Sequence, residues 1–335
     1  MNTGAAMAVF LSVVLYAVFA GADFGAGFWD LTAGGALPGR ERRALIEHSI
    51  GPVWEANHVW LIFCLVLLWS AFPTAFAAIM TALYVPLGLA ALGIVLRGSG
   101  FAFRKVAVGT GAQRGSGVAF AASSVLTPFF FGAVAGGIAS GRVPVAPGGG
   151  PVSGWVNPTS MLGGTLAVVT CAYLAAVFLT AEARGRGLTE LEGWFRRRAL
   201  ASAAVAGTVA IVGVVILRAD SPRLFHHLLG PAVPFLASSA AAGLAALLVL
   251  DRAAPRAPRL FAAAAVSAVV VGWGVAQYPY LLGTHLSISE AAAPVATLRA
   301  LLVIFGAAVL VCGPALGLLY VLQQRSRLDD TAEAK

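Results

Sequence analysis

Charge is scarce in this sequence. Asp, Glu, Lys and Arg make up 11% of its 335 residues, where a soluble domain carries about 25%. Three cysteines, Cys64, Cys171 and Cys312, all fall in apolar runs, and none forms a CxxC. That argues against a disulfide framework or a thiolate metal cluster and leaves them as small buried hydrophobes. There is no CxxCH for covalent haem, no Walker A loop, no GxGxxG opening a helix and no HExxH. Histidines number five, and only His58 lies clearly inside an apolar run. A chain holding several haems would need more axial ligands. The net charge of +8 is spread over several loops rather than gathered in one patch, so no nucleic-acid partner is expected.

What is present in quantity is apolar residue, 59% of the chain, with a mean hydropathy of +0.87. A helix needs roughly 20 apolar residues to cross the hydrocarbon core. Nine stretches qualify: about 7–29, 52–71, 75–97, 116–140, 159–183, 199–217, 229–250, 259–277 and 297–322. The runs are continuous and lack the alternation of a membrane barrel. The expected fold is therefore an all-α polytopic membrane protein, a single transmembrane domain over 1–335. The start, MNTGAAMAVF, lacks the basic segment of a cleavable signal peptide. No loop exceeds roughly 25 residues, too few for a hidden soluble domain.

Basic residues set the orientation. Arg40, Arg42 and Arg43 follow span 1, and Arg97, Arg104, Lys105 and Arg114 follow span 3. Arg184, Arg186 and Arg196–Arg198 follow span 5; Arg252, Arg256 and Arg259 follow span 7; Arg325, Arg327 and Lys335 are in the tail. The opposite side has only Arg142, Arg218, Arg223 and Arg299. The N-terminus is expected outside and the C-terminus in the cytoplasm. On this reading Arg97 and Arg104 are positive-inside anchors, and His226 and His227 lie in a solvated outer loop. The outer segments 141–158 and 278–296 are rich in turn formers and are expected to be irregular or to pack at the outer surface.

Ionisable residues inside a membrane are costly and usually face the bundle interior or a water path. Residues 50–63, IGPVWEANHVWLIF, hold Glu55, Asn57 and His58 between Trp54 and Trp60. Asp23 lies in span 1, within GADFGAGFWD, about 9 Å above the helix end near Trp29 at 1.5 Å per residue. Spans 1 and 2 are joined by a short loop and are expected as antiparallel neighbours. Asp23 and Glu55 then share a cavity on the cytoplasmic side. Glu55 and His58 are spaced i, i+3 on one face, Asn57 is placed to bridge helices, and Gly21, Gly25 and Gly27 permit close approach. A buried carboxylate suits proton uptake and release. The plainer reading is that these groups tie helices together or satisfy a partner. For His58 a structural hydrogen bond is favoured over a proton relay, and for the tryptophans packing or interfacial anchoring.

These residues carry a resemblance. SIGPVWEANHVWL at 49–61, followed by AFP at 71–73, resembles the signature of subunit II of cytochrome bd-type quinol oxidases, roughly P-x-W-[DE]-x-N-x-V-W-L and then A-[FW]-P. DFGAG at 23–27 is similar to that family's D-x-G-x-G, and the segments at 278–280, 286–288 and 297–298 resemble its outer loop before the last helix. The resemblance implies a bacterial cytoplasmic membrane protein paired with a haem-bearing oxidase subunit I, which oxidises quinol and reduces dioxygen to water. Subunit I carries two b-type haems and one d-type haem. Subunit II binds none of them directly, leaves room for a structural quinone and small accessory subunits, and contributes to proton delivery. Glu55 and Asp23 map onto the family's proton-path acids, supported by Trp54, Asn57, His58 and Trp60. Many members have Asp where this chain has Glu55. Two other readings stay open: a proton-coupled secondary transporter, for which no convincing repeat of broken helices is seen, and a purely structural membrane anchor.

Overall fold

A computed structural model describes residues 1–35, 39–50, 54–106, 110–146, 150–252 and 254–324. The side chains at 50, 54–56, 101–106, 110–116, 320, 323 and 324 lie outside that description. The helices are α1 (Asn2–Leu31), α2 (Arg40–Ile50), α3 (Trp54–Ala71), α4 (Pro73–Ala82), α5 (Tyr84–Val106), α6 (Thr110–Ala139) and α7 (Pro158–Gly185). They continue with α8 (Thr189–Asp220), α9 (Pro222–Leu228), α10 (Val233–Val249), α11 (Arg256–Gln277), α12 (Ile288–Ala291) and α13 (Val295–Gln324). Six of them are long and apolar enough to cross a bilayer among the described residues, and two bent pairs raise the number to eight. Tyr84–Gly100 is a shorter apolar helix.

The breaks have local causes. The run at 75–97 is two helices, α4 and α5, parted at Leu83. Pro86 has no N–H to offer the carbonyl of Ala82, and its ring crowds that carbonyl. Between α3 and α4 the chain bends by 117°, with Pro73 as the first residue of the new helix. A second bend, of 68°, separates α9 from α10. The start of α7 is fixed by Asn157, whose side-chain oxygen accepts from the Ser160 N–H at 2.9 Å.

Helix α1 is the centre of the bundle, lying along α3, α6, α7 and α11. Small residues let it approach closely. A methyl group at Gly25 would meet the backbone carbonyl of Cys171 on α7. Trp29 donates its indole N–H to the Ala172 carbonyl at 2.8 Å, locking the same two helices further along. One apolar cluster gathers Val18, Ala26 and Trp29 with Leu174, Val177, Phe195 and Val266 from α7, α8 and α11. A second gathers Ala5 and Val9 with Phe72, Ile79, Leu282, Leu298 and Phe305.

At the end of the bundle where α1 begins, the chain is tied down by polar groups. The segment 278–296 contains a two-stranded antiparallel hairpin, β1 (Tyr280–Leu282) with β2 (Leu286–Ser287). Ser287 and Glu290 form a capping box at α12. Arg223 donates to the Gly283 carbonyl and lies 4.5 Å over the Tyr280 ring. Arg142 makes a two-pronged pair with Asp220, both bonds 2.8 Å, and Asp220 also accepts from the Thr159 hydroxyl at 2.6 Å. His227 meets the Ala276 carbonyl at 2.9 Å and is half-buried, so the reading of a solvated loop does not hold for it. His226 is more exposed and meets the Pro222 carbonyl one turn back at 2.8 Å.

Candidate functional site

Asp23 stands two turns from the end of α1 and is 4% exposed. Its partner is Arg97 of α5, which is 1% exposed. Arg97 donates from Nη2 to one carboxylate oxygen at 2.7 Å and from Nε to the other at 3.3 Å. A further Nη2 bond reaches the Asp23 carbonyl at 2.7 Å. Nη1 donates to the Ser124 hydroxyl on α6 at 2.6 Å, and Ser124 passes a bond to the Phe120 carbonyl at 2.8 Å. Four of the five guanidinium donors are therefore placed, and the bonds tie α5 to α1 and α6. The rings of Phe120 and Phe24 cover the cation, 4.4 and 4.9 Å from its carbon. Gly27 makes the space: a methyl group there would meet Ser124 and Arg97.

This corrects the reading of Arg97 as an anchor at the membrane surface. The guanidinium does not reach toward water; it turns inward and forms a desolvated pair with Asp23. Such a pair persists only when its geometry and remaining hydrogen bonds offset the loss of hydration, and here nearly every donor is used.

Asp23 lines a cavity of about 460 Å³ between α1, α2, α3, α7, α11 and α13. Most of the wall is apolar, with Leu15, Phe19, Phe178, Leu179 and Leu316, while Asn57, His48, Ser49, Glu182 and Arg259 supply the polar points. Asn57 is 8% exposed and donates to the Phe19 carbonyl at 3.3 Å, so it does bridge α3 to α1. Trp60 lies on the same wall, buried, with its ring 5.9 Å from Phe63. His58 faces aromatic rings, with centroids 6.2 Å from Tyr16 and 6.5 Å from Phe24. Trp54 and Glu55 open α3, but their side chains lie outside the described residues.

Sequence reasoning missed Glu182 and Arg259 as well as Arg97. Glu182 accepts from Arg186 at 2.9 Å and from Arg259 at 2.6 Å, closing the α7 end of the cavity with charge. The signal for Arg97 was present: it is a single cation in the apolar stretch 84–103, with Ser123, Ser124 and Thr127 forming a polar step in another. The Tyr16 hydroxyl is buried and has no hydrogen-bond partner among the described residues. The three cysteines are unbridged; Cys171 is buried and the others half-buried. Among the described residues no three His, Cys, Asp or Glu gather in the way a metal ion requires.

Fold and site together define a polytopic helical membrane protein built around a buried ion pair beside an apolar cavity. Residues 1–323 match the family described as cytochrome bd terminal oxidase subunit II, and the chain belongs to that family. A cytochrome bd ubiquinol oxidase subunit 2 of Bacillus subtilis is 32% identical over 148 residues, 43% of each chain. A cytochrome bd-I ubiquinol oxidase subunit 2 of Escherichia coli is 37% identical over 89 residues, 27% of this chain and 23% of that one. The alignments thus span less than half the length of these relatives. A chain in the structure of bd oxidase from Geobacillus thermodenitrificans is 23% identical with a TM-score of 0.80, covering 96% of this chain and 98% of that one; it shares the fold. The protein resides in the bacterial cytoplasmic membrane.

Proposed function

We propose that this chain is the haem-free second subunit of a cytochrome bd-type quinol oxidase, paired with a haem-bearing subunit I that oxidises quinol and reduces dioxygen to water. The observation that carries the reading is the family match along residues 1–323. In this reading nine helices cross the membrane, with the N-terminus outside and the C-terminus in the cytoplasm. The bent pairs and the shorter apolar helix Tyr84–Gly100 are compatible with that count, and the positive-inside bias supports that orientation.

Protons for dioxygen reduction enter from the cytoplasm through Glu55 and pass the charge of Asp23, the second acid of the path. Asp23 is engaged at both carboxylate oxygens by Arg97, so a proton carried by Asp23 requires Arg97 to release one oxygen. Glu55 is the carboxylate given the carrying role, and Asp23 with Arg97 supplies a fixed field at α1. Asn57, His58 and Trp60 hold this corner of α1 and α3, and Trp54 is given a supporting role from the motif alone. Cytoplasmic protons are consumed while quinol releases its own outside, which charges the membrane without pumping.

The two b-type haems and the d-type haem belong to the partner. His58, the histidine in the motif, is flanked by the rings of Tyr16 and Phe24, a setting that suits packing. The cavity beside Asp23 is our candidate place for a structural quinone: its apolar walls suit an isoprenoid chain, with Asn57 as a polar point for a ring carbonyl. Quinol and small accessory subunits complete the proposed set of partners.

The test is a reduced-minus-oxidised spectrum of the assembly pulled from native membranes in mild detergent, beside a gel. A second membrane subunit with b-type and d-type haem bands supports the reading; a single haem-free chain overturns it. Glu55→Gln should then lower oxygen consumption per assembled complex while Glu55→Asp retains much of it. Full turnover in Glu55→Gln removes the proton role.

A further inference from the structure

Where α1 ends and α8 begins, two guanidiniums share one indole. Arg198 lies over the Trp194 ring with its guanidinium carbon 3.0 Å from the centroid, and Arg42 of α2 lies 4.6 Å from the same centroid. Arg198 is also 5.9 Å from the Trp29 ring. Each cation places one N–H on the backbone: Arg42 on the Ala33 carbonyl at 2.7 Å, Arg198 on the Trp194 carbonyl at 3.1 Å. Among the described residues neither has a carboxylate partner. The acids nearby are committed elsewhere, Asp30 to Arg43 at 3.4 Å and Asp251 to Arg196 at 2.7 Å. Glu190 and Glu192 stand in the first turn of α8, and among the described residues neither forms an ion pair with these cations.

Two like charges held against one ring repel each other, as Arg42 does Arg198, and an anion bound beside them relieves that repulsion. The ring is firmly held, because Trp194 is 7% exposed, while Arg42 and Arg198 are each half-buried. The surroundings are those of a bilayer interface. Arg196, Arg197 and Arg198 stand directly before the apolar run of α8. Two tryptophans sit at this level, and the flanking Leu31, Leu188 and Leu200 are exposed, giving acyl chains a surface beside the cations.

We propose that Arg42 and Arg198, stacked on Trp194, bind the phosphate of an anionic phospholipid headgroup in the cytoplasmic leaflet. Arginine suits this role because its planar fork matches a phosphate and its face packs on an aromatic ring. Basic pockets at helix ends on the cytoplasmic side select anionic lipids by the same chemistry. The choice of leaflet rests on the orientation proposed above; the phosphate chemistry does not.

The test uses the assembly as purified in mild detergent. It is titrated separately with dioleoylphosphatidylglycerol, dioleoylphosphatidylcholine and inorganic phosphate, and the lipid retained is read by native mass spectrometry. The expected result is retention of phosphatidylglycerol over phosphatidylcholine, with little displacement by millimolar phosphate. The double variant Arg42→Gln/Arg198→Gln should weaken phosphatidylglycerol binding roughly 30-fold, taking each lost guanidinium–phosphate hydrogen bond at its usual worth. Arg196→Gln/Arg197→Gln, which removes two exposed charges away from the ring, should change it far less. Arg42→Lys/Arg198→Lys should keep part of the binding. Should the double glutamine variant not assemble, Arg198→Gln alone carries the test, with roughly a fivefold loss expected. Wild-type retention in the glutamine variants, or an equal loss in the control pair, overturns the site. Displacement of the lipid by low millimolar phosphate overturns the lipid assignment in favour of a free anion.

Discussion

Removing the charge of Arg97 should destabilise this protein far more than removing that of any exposed arginine. An exposed ion pair contributes about 0–1 kcal/mol. The pair with Asp23 differs because both partners are buried, at 1% and 4% exposure. Arg97→Gln deletes two bonds to the carboxylate, one to the Asp23 carbonyl and one to Ser124. It leaves a buried carboxylate without its cation. Breaking one side of such a pair costs about 3–5 kcal/mol, mostly the stranded charge. Asp23→Asn strands the cation instead, but Ser124, the backbone carbonyl at position 23 and two rings still hold it, so its cost should lie at the lower end of that range. The double variant Asp23→Asn/Arg97→Gln strands neither charge, so its cost should fall short of the sum by about 2 kcal/mol or more. The assay is unfolding by sodium dodecyl sulfate in mixed micelles, followed by far-ultraviolet circular dichroism. Arg186→Gln, which loses only a half-exposed bond to Glu182, serves as comparator. Equal shifts for Arg97→Gln and Arg186→Gln, or additive costs in the double variant, would refute the reasoning.

Other substitutions test other contacts. Gly25→Ala puts a methyl group against the Cys171 carbonyl and should cost about 1–3 kcal/mol by forcing α1 from α7; an unchanged melt would mean the helices sit further apart than described. Tyr16→Phe removes a buried hydroxyl with no partner among the described residues, so stability should be unchanged or slightly raised; a loss above about 1 kcal/mol would reveal a partner such as an ordered water. Bonds from the Ser287 hydroxyl and N–H hold the Glu290 carboxyl below its ordinary value. Its contribution is complete above the ordinary carboxylate range and is lost as pH falls through the lowered folded value. Amide protection at 287–291 should therefore persist near neutral pH and fall only below about pH 4, and protection lost already around pH 6 would contradict that order.

Much of the helical frame could be read from local composition, because a bilayer demands long apolar runs and each run is punctuated by Gly, Pro or Arg. The described helices overlap every stretch expected to span. What periodicity could not supply was the bending. Pro73 and Pro86 stand close together, and only three-dimensional packing decides that Pro73 opens a helix after a 117° bend while Pro86 lies in the first turn of the next helix. The hairpin at 280–287 is too short to leave a strand pattern in the sequence.

The site was half legible for a physical reason. Asp23 and Asn57 announce themselves, since an acid or an amide inside an apolar run must find a partner. Arg97 gave the same signal but lay at the end of its run, where a long cation usually bends back to the interface. Its actual partner is 74 residues away, and no local rule joins them. Once the pair is seen, the two acids of the motif part company. Asp23 is bound at both oxygens, whereas Glu55 opens a helix beside the same bundle corner. On the proposed path, loss of the Asp23 charge should appear first in assembly and stability, and loss of the Glu55 charge in turnover of complexes that assemble normally. Measuring haem content and oxygen consumption on the same preparations of Asp23→Asn and Glu55→Gln separates the two. If Asp23→Asn assembled fully and lost turnover alone, Asp23 would be a carrier, and Arg97 would have to open its grip in each cycle.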